Sequence, residues 1–324
     1  MNRTLILVLI FPFFLGCKTS KPLVKFSDML WTSSLNASYN KIAVGGNNGA
    51  LRILSTDDLN LVKTYEFPNT ITKVEWHPTE NLLAVIRQRN DESSSDDSQA
   101  KLIDTKSGKT IELDNYGGRG LGWSKDGKYL AIGDGDGIVS VFNVKGELVK
   151  RIKTEQKAIT GLSWHPHNYK IATVGSHIEI ISLENDDKKQ IIPRDIEILM
   201  LSVEWHPSGD MFATGDYGNS DINYPPLLQF WDSNGTKLKD IEGSESEIRN
   251  LKWLNNGKNL LTASDRIRMW DEEGEIIKSS KKESLFWGLV INEKNQNVIT
   301  TTEYGDIFTF DKKLQIIKTS SLKK

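Results

Sequence analysis

Histidine side chains are the first candidates for metal binding or proton transfer. The chain has five of them: His77, His165, His167, His177 and His206. Three stand in the same local sequence, Trp-His-Pro, where proline fixes a turn and the residue before it is held extended. Zinc needs ligands that converge to about 2 Å from one point, whereas equivalent turns of a repeat are spread apart. These histidines are therefore predicted to be structural, and no metal ligand is predicted.

The sequence Asp-Gly-Asp-Gly at residues 134–137 is the second candidate, because alternating carboxylates can present oxygens to calcium. It lacks the later bidentate glutamate of a calcium loop, and Asp-Gly also favours a tight hairpin turn. We predict a turn between two strands. No serine nucleophile elbow, glycine-rich phosphate loop or recognisable pair of catalytic carboxylates occurs in the chain. We therefore predict no catalytic residue, no cofactor and no enzyme activity.

A tryptophan-centred segment recurs along the chain and determines where the histidines and the Asp-Gly-Asp-Gly sequence lie in the fold. Five clear copies contain Trp76, Trp123, Trp164, Trp205 and Trp253. A small or apolar residue follows eight positions later. Two weaker copies are anchored at Leu35 and Ile291, and in both a tryptophan stands four residues earlier, at Trp31 and Trp287. The seven anchors lie 38 to 48 residues apart. Such a period, filled with short β-rich segments, predicts an all-β fold: a single seven-bladed β-propeller of four-stranded antiparallel blades over residues 22–324.

The repeats resemble those of the WD40 repeat family over nearly the whole mature chain. Besides the spaced turns, the resemblance rests on the third-strand endings Phe230-Trp231-Asp232 and Met269-Trp270-Asp271. The chain has no Gly-His dipeptide, so the buried His-to-Asp network usual in that family cannot form in its ordinary way. The resemblance implies a protein that docks protein or peptide partners on its propeller faces.

The N-terminus predicts export and a lipid anchor. Arg3 precedes an apolar run over residues 5–15, too short to span a bilayer and laid out like a secretory signal peptide. Gly16 and Cys17 follow, and Cys17 is the single cysteine of the chain. This arrangement resembles the lipobox of a bacterial lipoprotein; the alternative is a plain secretory signal with a chance cysteine. We predict a signal peptide at residues 1–16 and a lipidated Cys17 with a short tether at residues 17–21. Lys18 favours the outer membrane of a bacterial envelope.

The charge balance gives no sign of a nucleic-acid partner. The chain has 41 basic and 43 acidic residues and a formal net charge of −2, so the basic footprint expected of a nucleic-acid-binding domain is missing. With one cysteine no internal disulfide can form, and packed sheets must supply the stability. A monomer is expected.

Two insertions lengthen the repeats and predict a binding face. Residues 87–99 extend the turn between the second and third strands of blade two, and residues 217–226 extend the same turn in blade five. In a propeller these turns share one face with the loops that join consecutive blades; we call it the insertion face. Insertions in repeat proteins often gather on the binding face. Residues 87–99 are polar and acidic and favour a disordered loop tip instead, whereas the two tyrosines and two prolines of residues 217–226 make that insertion the stiffer candidate for partner contact. The candidate partner-binding residues on it are Tyr116, Arg119, His177, Tyr217, Tyr224 and Arg266.

Three functional hypotheses remain open from the sequence. The first is a lipid-anchored, non-enzymatic interaction platform in the envelope, with a protein or peptide partner on the insertion face. The second is an accessory lipoprotein of an outer-membrane assembly machine, and the third is a propeller hydrolase or lactonase. How the ring closes is also open. Residues 23–26 (Leu-Val-Lys-Phe) and residues 315–318 (Gln-Ile-Ile-Lys) both read as the outer strand of blade seven.

Overall fold

Seven four-stranded antiparallel sheets follow one another along the chain, and each sheet is one sequence repeat. The computed structural model describes residues 29–89, 99–184, 188–194 and 196–322. The predicted all-β, seven-bladed propeller is confirmed. The signal peptide, Cys17, the tether and residues 23–26 lie outside the described residues, and these predictions stand untested.

In every blade the strands are ordered from first to fourth, so the first strand of each repeat lines the centre and the fourth lies outermost. Blades one to four consist of β1 (Leu30–Leu35), β2 (Lys41–Gly46), β3 (Ala50–Ser55), β4 (Leu61–Glu66); β5 (Ile71–Trp76), β6 (Leu82–Arg87), β7 (Gln99–Asp104), β8 (Thr110–Tyr116); β9 (Gly120–Trp123), β10 (Tyr129–Gly133), β11 (Ile138–Asn143), β12 (Leu148–Lys153); β13 (Gly161–Trp164), β14 (Lys170–Val174), β15 (Ile178–Ser182) and β16 (Lys188–Ile192). Blades five to seven consist of β17 (Met200–Trp205), β18 (Met211–Asp216), β19 (Leu228–Asp232), β20 (Lys237–Ile241); β21 (Asn250–Trp253), β22 (Leu260–Ala263), β23 (Ile267–Trp270), β24 (Ile276–Ser279); β25 (Phe286–Asn292), β26 (Asn297–Thr302), β27 (Asp306–Phe310) and β28 (Ile316–Ser321).

The repeated tryptophan is the last residue of the first strand in blades two to six, and its side chain packs between blades. All five of these side chains are buried, with at most 8% of their surface exposed. Trp164 Nε1 donates to the carbonyl oxygen of Gly122 in the preceding blade at 2.8 Å. The residue eight positions after each anchor lies in the second strand and is also buried, as Ala172 and Ala213 show. The repeat pattern therefore encodes the contacts between blades as well as the sheets themselves.

The C-terminal strand β28 completes blade seven, and the ring closes by direct packing of blade seven on blade one. β28 pairs with β27 in antiparallel register. Thr301 Oγ1 donates to the carbonyl oxygen of Leu30 at 2.8 Å, and Asn292 Nδ2 donates to that of Tyr39 at 3.1 Å. Ile299 joins Leu30 in one buried apolar cluster that crosses this seam. Of the two segments predicted for the outer position, the C-terminal one occupies it.

Both insertions fall where the sequence predicts. One lies between β6 and β7, and the other, between β18 and β19, contains a short 3-10 helix at Ser220–Ile222. No helix among the described residues is long and apolar enough to cross a bilayer.

Candidate functional site

The histidine of a Trp-His-Pro turn joins its own blade to the next one. His77 Nε2 lies 2.9 Å from the carbonyl oxygen of Gly127, and the His77 ring meets the edge of Trp123 with centroids 4.6 Å apart. Nδ1 of the same ring accepts the backbone N–H groups of Thr79 and Glu80 at 3.1 and 2.9 Å. Because Nδ1 accepts, the ring proton belongs on Nε2, which donates to Gly127. His77 thus acts as a latch between blades two and three.

The same latch recurs from blade four to five and from blade five to six. His165 Nε2 reaches the carbonyl oxygen of Gly209 at 3.1 Å, and His206 Nε2 reaches that of Gly257 at 2.9 Å. Each ring again lies edge-on to the tryptophan of the next blade, with centroids 4.7 Å apart. Glycine is needed at the acceptor, since Gly209 has φ +81° and a Cβ there would lie 2.6 Å from His165 Cε1. The structure thus gives these three histidines the structural role that their turns predict.

Acid should weaken the His165 latch. Burial, partly offset by the hydrogen bond to Gly209, lowers the pKa of His165 below its ordinary value of 6.5. The unfolded chain then binds a proton at a higher pH than the folded chain. The free energy of unfolding therefore falls as the pH drops from about 6.5 through the folded pKa. We expect His165→Phe, which keeps a ring against Trp205, to lower the free energy of unfolding by about 1 kcal/mol at pH 7.5. Between pH 7.5 and 5.5 that free energy should fall less in the variant than in the wild type.

Urea unfolding at pH 7.5 and 5.5 measures this difference. The matched control is His167→Phe, because His167 lies in the same turn but is exposed. If the free energy of unfolding falls equally in the wild type and in His165→Phe between the two pH values, protonation of His165 is not coupled to unfolding. The predicted weakening of this latch by acid is then wrong.

The insertion of blade five forms one wall of an open groove on the insertion face. The groove has a volume of about 1010 Å³ and lies between the loops that enter and leave blade five. Leu199 and Tyr217 line it with 48% and 53% of their surfaces exposed. Its lining, taken from the described residues, includes no lysine or arginine and holds five carboxylates: Glu197, Asp221, Glu242, Glu245 and Glu247. We call this feature the acidic groove.

A buried ion pair holds the insertion in place. Arg194 Nη2 lies 3.0 Å from Asp216 Oδ2, and both side chains are almost fully buried. Tyr224 Oη donates to the same carboxylate oxygen at 3.2 Å. Asp216 Oδ1 accepts the backbone N–H of Leu227 at 2.8 Å and that of Gly218 at 3.2 Å, so both ends of the insertion are bound to one side chain. Burial and the nearby Asp216 raise the pKa of Tyr224 to about 12, which keeps its hydroxyl a donor.

Three of the six predicted partner-binding residues are brought together at the acidic groove. Tyr217 and Tyr224 line it, and Arg266 lies beside it with Nη2 3.2 Å from Glu245 Oε1. His177 lies in the equivalent turn of blade four, 2.9 Å from Glu179 Oε1, and does not line the groove. Tyr116 ends β8, half-buried and paired in register with Gln99.

The sixth residue, Arg119, lies at the mouth of the central channel. Its guanidinium lies over the ring of Trp31, 4.8 Å from the centroid, and Arg249 lies over Trp287 at 3.4 Å. The two tryptophans meet at 5.1 Å between centroids. In the two weak repeats these tryptophans lie four residues before the anchor position. That offset is the sequence signal that they do not pack between blades as the other repeat tryptophans do. No sequence pattern gives these tryptophans or Arg249 a functional role.

Deeper in the channel, the first strands contribute charged side chains that no sequence pattern singles out. A cavity of about 510 Å³ is lined there by Lys73, Glu75, Glu204 and Lys252, among others. Lys252 Nζ lies 3.2 Å from Glu204 Oε1, and the Glu204 charge raises the pKa of Lys252. Burial raises the pKa of Glu75 and lowers that of Lys73. The channel wall is thus polar and half-buried, with charges of both signs.

The Asp-Gly-Asp-Gly sequence forms the turn between β10 and β11, as predicted. Asp134 Oδ1 accepts the backbone N–H groups of Asp136 and Ile138 at 2.9 and 2.8 Å. Among the described residues, no group of three or more histidine, cysteine or acidic side chains is placed to hold a metal ion.

Comparisons with known proteins find similarity over part of the chain. The family described as "Anaphase-promoting complex subunit 4 WD40 domain" matches residues 114–167. Translation initiation factor 3 subunit I of Neurospora crassa is 27% identical over 182 residues, which cover 52% of this chain and 50% of that protein. WD repeat-containing protein slp1 of Schizosaccharomyces pombe is 23% identical over 197 residues, covering 57% and 38%.

A third relative is anaphase-promoting complex subunit cdh1 of Dictyostelium discoideum, 27% identical over 146 residues that cover 43% of this chain and 17% of that protein. The matched segment thus spans half or less of each of these relatives. All three are eukaryotic, and they give no support to the bacterial lipoprotein that the N-terminus predicts. The chain is thus similar to WD40 repeat proteins over part of its length, and its seven blades agree with that similarity.

Proposed function

We propose that this propeller is a non-enzymatic interaction platform that docks a protein or peptide segment in the acidic groove. The observation that carries the proposal is the groove itself: five carboxylates and two exposed apolar side chains on a wall held by a buried ion pair. Two of the three relatives are named as subunits of larger assemblies, which fits a docking role. The charge of the groove favours a segment that combines lysine or arginine with an aromatic or aliphatic residue.

The platform is further proposed to be held on a membrane by a lipid on Cys17, in the outer membrane of a bacterial envelope. Support comes from the apolar run at residues 5–15 and from the position of the single cysteine after it. More than one acyl chain gives stable attachment where a single chain is marginal. Service as an accessory of an outer-membrane assembly machine would be one case of this function.

A paired substitution in the acidic groove tests the docking role. We expect Leu199→Ala/Tyr217→Ala to reduce partner capture about 10-fold, the effect of losing exposed anchors at the centre of an interface. Capture is measured by crosslinking in membranes and pull-down. The matched control is Leu61→Ala/Val62→Ala on the outer strand β4, where the two side chains are 59% and 53% exposed. If both double variants recover the same proteins in equal amounts, the acidic groove is not the docking site.

The anchor is tested in the same preparation with Cys17→Ser. We expect this variant to lose lipid labelling and to move to the soluble fraction, while its purified propeller still captures the groove partner. Membrane retention of the unlipidated, processed variant would show that a protein partner, and not a lipid, is the tether.

A further inference from the structure

The mouth of the central channel on the insertion face collects positive charge. A small cavity of about 60 Å³ lies there, lined by Lys73, Arg119 and Arg249 together with the rings of Trp31 and Trp287. No carboxylate belongs to its lining within the described ranges. Three carboxylates stand nearby: Glu247 pairs with Arg249, Glu303 attracts the same arginine, and Glu75 attracts Lys73 from below. Arg119 forms no ion pair with any residue that the structure describes.

The two guanidinium groups are held ready to bind. Each lies over a tryptophan ring, and Trp31 is itself fixed by a hydrogen bond from Nε1 to Asn47 Oδ1 at 2.5 Å. Stacking on an indole face leaves the edge of a guanidinium, with its N–H donors, free to meet an oxyanion. Because the arginines are already ordered by these contacts, less side-chain entropy is lost when a ligand binds.

The cations also repel one another. Burial and then the neighbouring Arg249 lower the pKa of Arg119, so Arg119 carries its charge at a cost that a bound anion would relieve. Glu247 cannot neutralise both arginines, since it pairs with Arg249. An anion bound between Arg119 and Arg249 would reduce the repulsion between the two guanidinium groups.

We propose that the channel mouth binds an oxyanion group, a carboxylate or a phosphate, presented by the segment that docks in the acidic groove. The proposal rests on the proposed function. Glu247 lines the acidic groove and pairs with Arg249 at the mouth, so the two sites adjoin. The docked segment therefore carries an anionic group at the mouth and basic residues along the groove. Arg119 and Arg249 would bind the oxyanion through charge-assisted hydrogen bonds.

The test is calorimetric titration of the mature chain at low salt with inorganic phosphate and, separately, with N-acetylglutamate. We expect saturable binding of at least one probe, weakened about 10-fold or more by Arg119→Gln and by Arg249→Gln, since each removes one charge-assisted bond. The matched control is Arg151→Gln on the outer strand β12, where Arg151 pairs with Asp114 on the surface. Binding of phosphate alone indicates a phosphorylated segment, and binding of N-acetylglutamate indicates an acidic one.

The proposal is overturned if neither probe binds saturably, or if Arg119→Gln binds as the wild type does. Thermal melting of each variant confirms that it is folded, so that a loss of anion binding is not a loss of structure. The groove variant Leu199→Ala/Tyr217→Ala should still bind the small anions. If that variant loses partner capture and the wild type binds neither anion, the docking role of the acidic groove is supported and anion binding at the channel mouth is excluded.

Discussion

A chain that stops after Lys313 should fail to hold a closed propeller. The truncation removes Leu314, which is 1% exposed in a cluster shared by blades six and seven, and all of β28. It also removes Lys318, whose ammonium donates to the carbonyl oxygen of Asp57 in blade one. A buried leucine contributes about 2–5 kcal/mol and each lost ladder hydrogen bond about 1 kcal/mol. The loss approaches the whole stability of a typical protein, about 5–15 kcal/mol.

Far-UV circular dichroism and urea unfolding measure the outcome, with two comparisons. Leu314→Ala isolates the side chain and should leave a folded but weaker protein. Deletion of residues 22–26 removes the other segment predicted for the outer strand, and we expect a much smaller loss because β28 already pairs with β27. A truncated chain that melts at the wild-type temperature would show that the N-terminal segment can take the edge of β27.

The propeller could be predicted because its repeats carry their own spacing. Trp253 ends β21 and Leu261 lies in β22, so one tryptophan and one small or apolar residue locate the first two strands of a blade. For blade six the sequence predicts strands that begin at residues 248, 259, 266 and 275. The observed strands begin within two residues of these positions. Turn chemistry and period decide such elements locally, and no knowledge of distant contacts is needed.

The channel mouth could not be predicted in this way, because it is assembled from opposite ends of the chain. Trp31 lies in the first strand of blade one and Trp287 in the first strand of blade seven, and only ring closure brings them together. Arg249 could not be predicted either, because it follows a blade-joining loop and no sequence motif marks it. Arg119 was a candidate because of its place between blades two and three. Its tryptophan partner became visible only in three dimensions.

The acidic groove is an intermediate case. The length of the blade-five insertion and its two tyrosines predicted a surface of interest, and Tyr217 and Tyr224 do line the groove. The ion pair that supports it was missed, because Arg194 belongs to the loop before blade five and Asp216 ends β18. Nothing in a surface-like sequence shows that an arginine from a loop is buried. An insertion between the second and third strands of a blade is nevertheless a reason to look for a buried charged residue that fixes the inserted loop.

Replacing Asp216 with alanine should cost about 3–5 kcal/mol of unfolding free energy, the usual penalty for leaving one member of a buried ion pair alone. Arg194 would keep its charge in a site where 4% of its side chain is exposed. The backbone N–H groups of Gly218 and Leu227 would also lose their acceptor, which frees both ends of the insertion. Tyr224 would lose its bond to the carboxylate, so partner capture by the acidic groove should fall with the stability.

Asp134→Ala is the matched control. Asp134 occupies the corresponding turn of blade three and also accepts two backbone N–H groups, but it forms no ion pair with the residues that the structure describes. Its loss should cost about 1–2 kcal/mol, since only hydrogen bonds disappear. The double variant Arg194→Met/Asp216→Leu should recover part of the stability, because it removes the stranded charge as well as its partner. A cost for Asp216→Ala no larger than that for Asp134→Ala would mean that Arg194 is not held by this pair, and that the groove wall is fixed by its backbone alone.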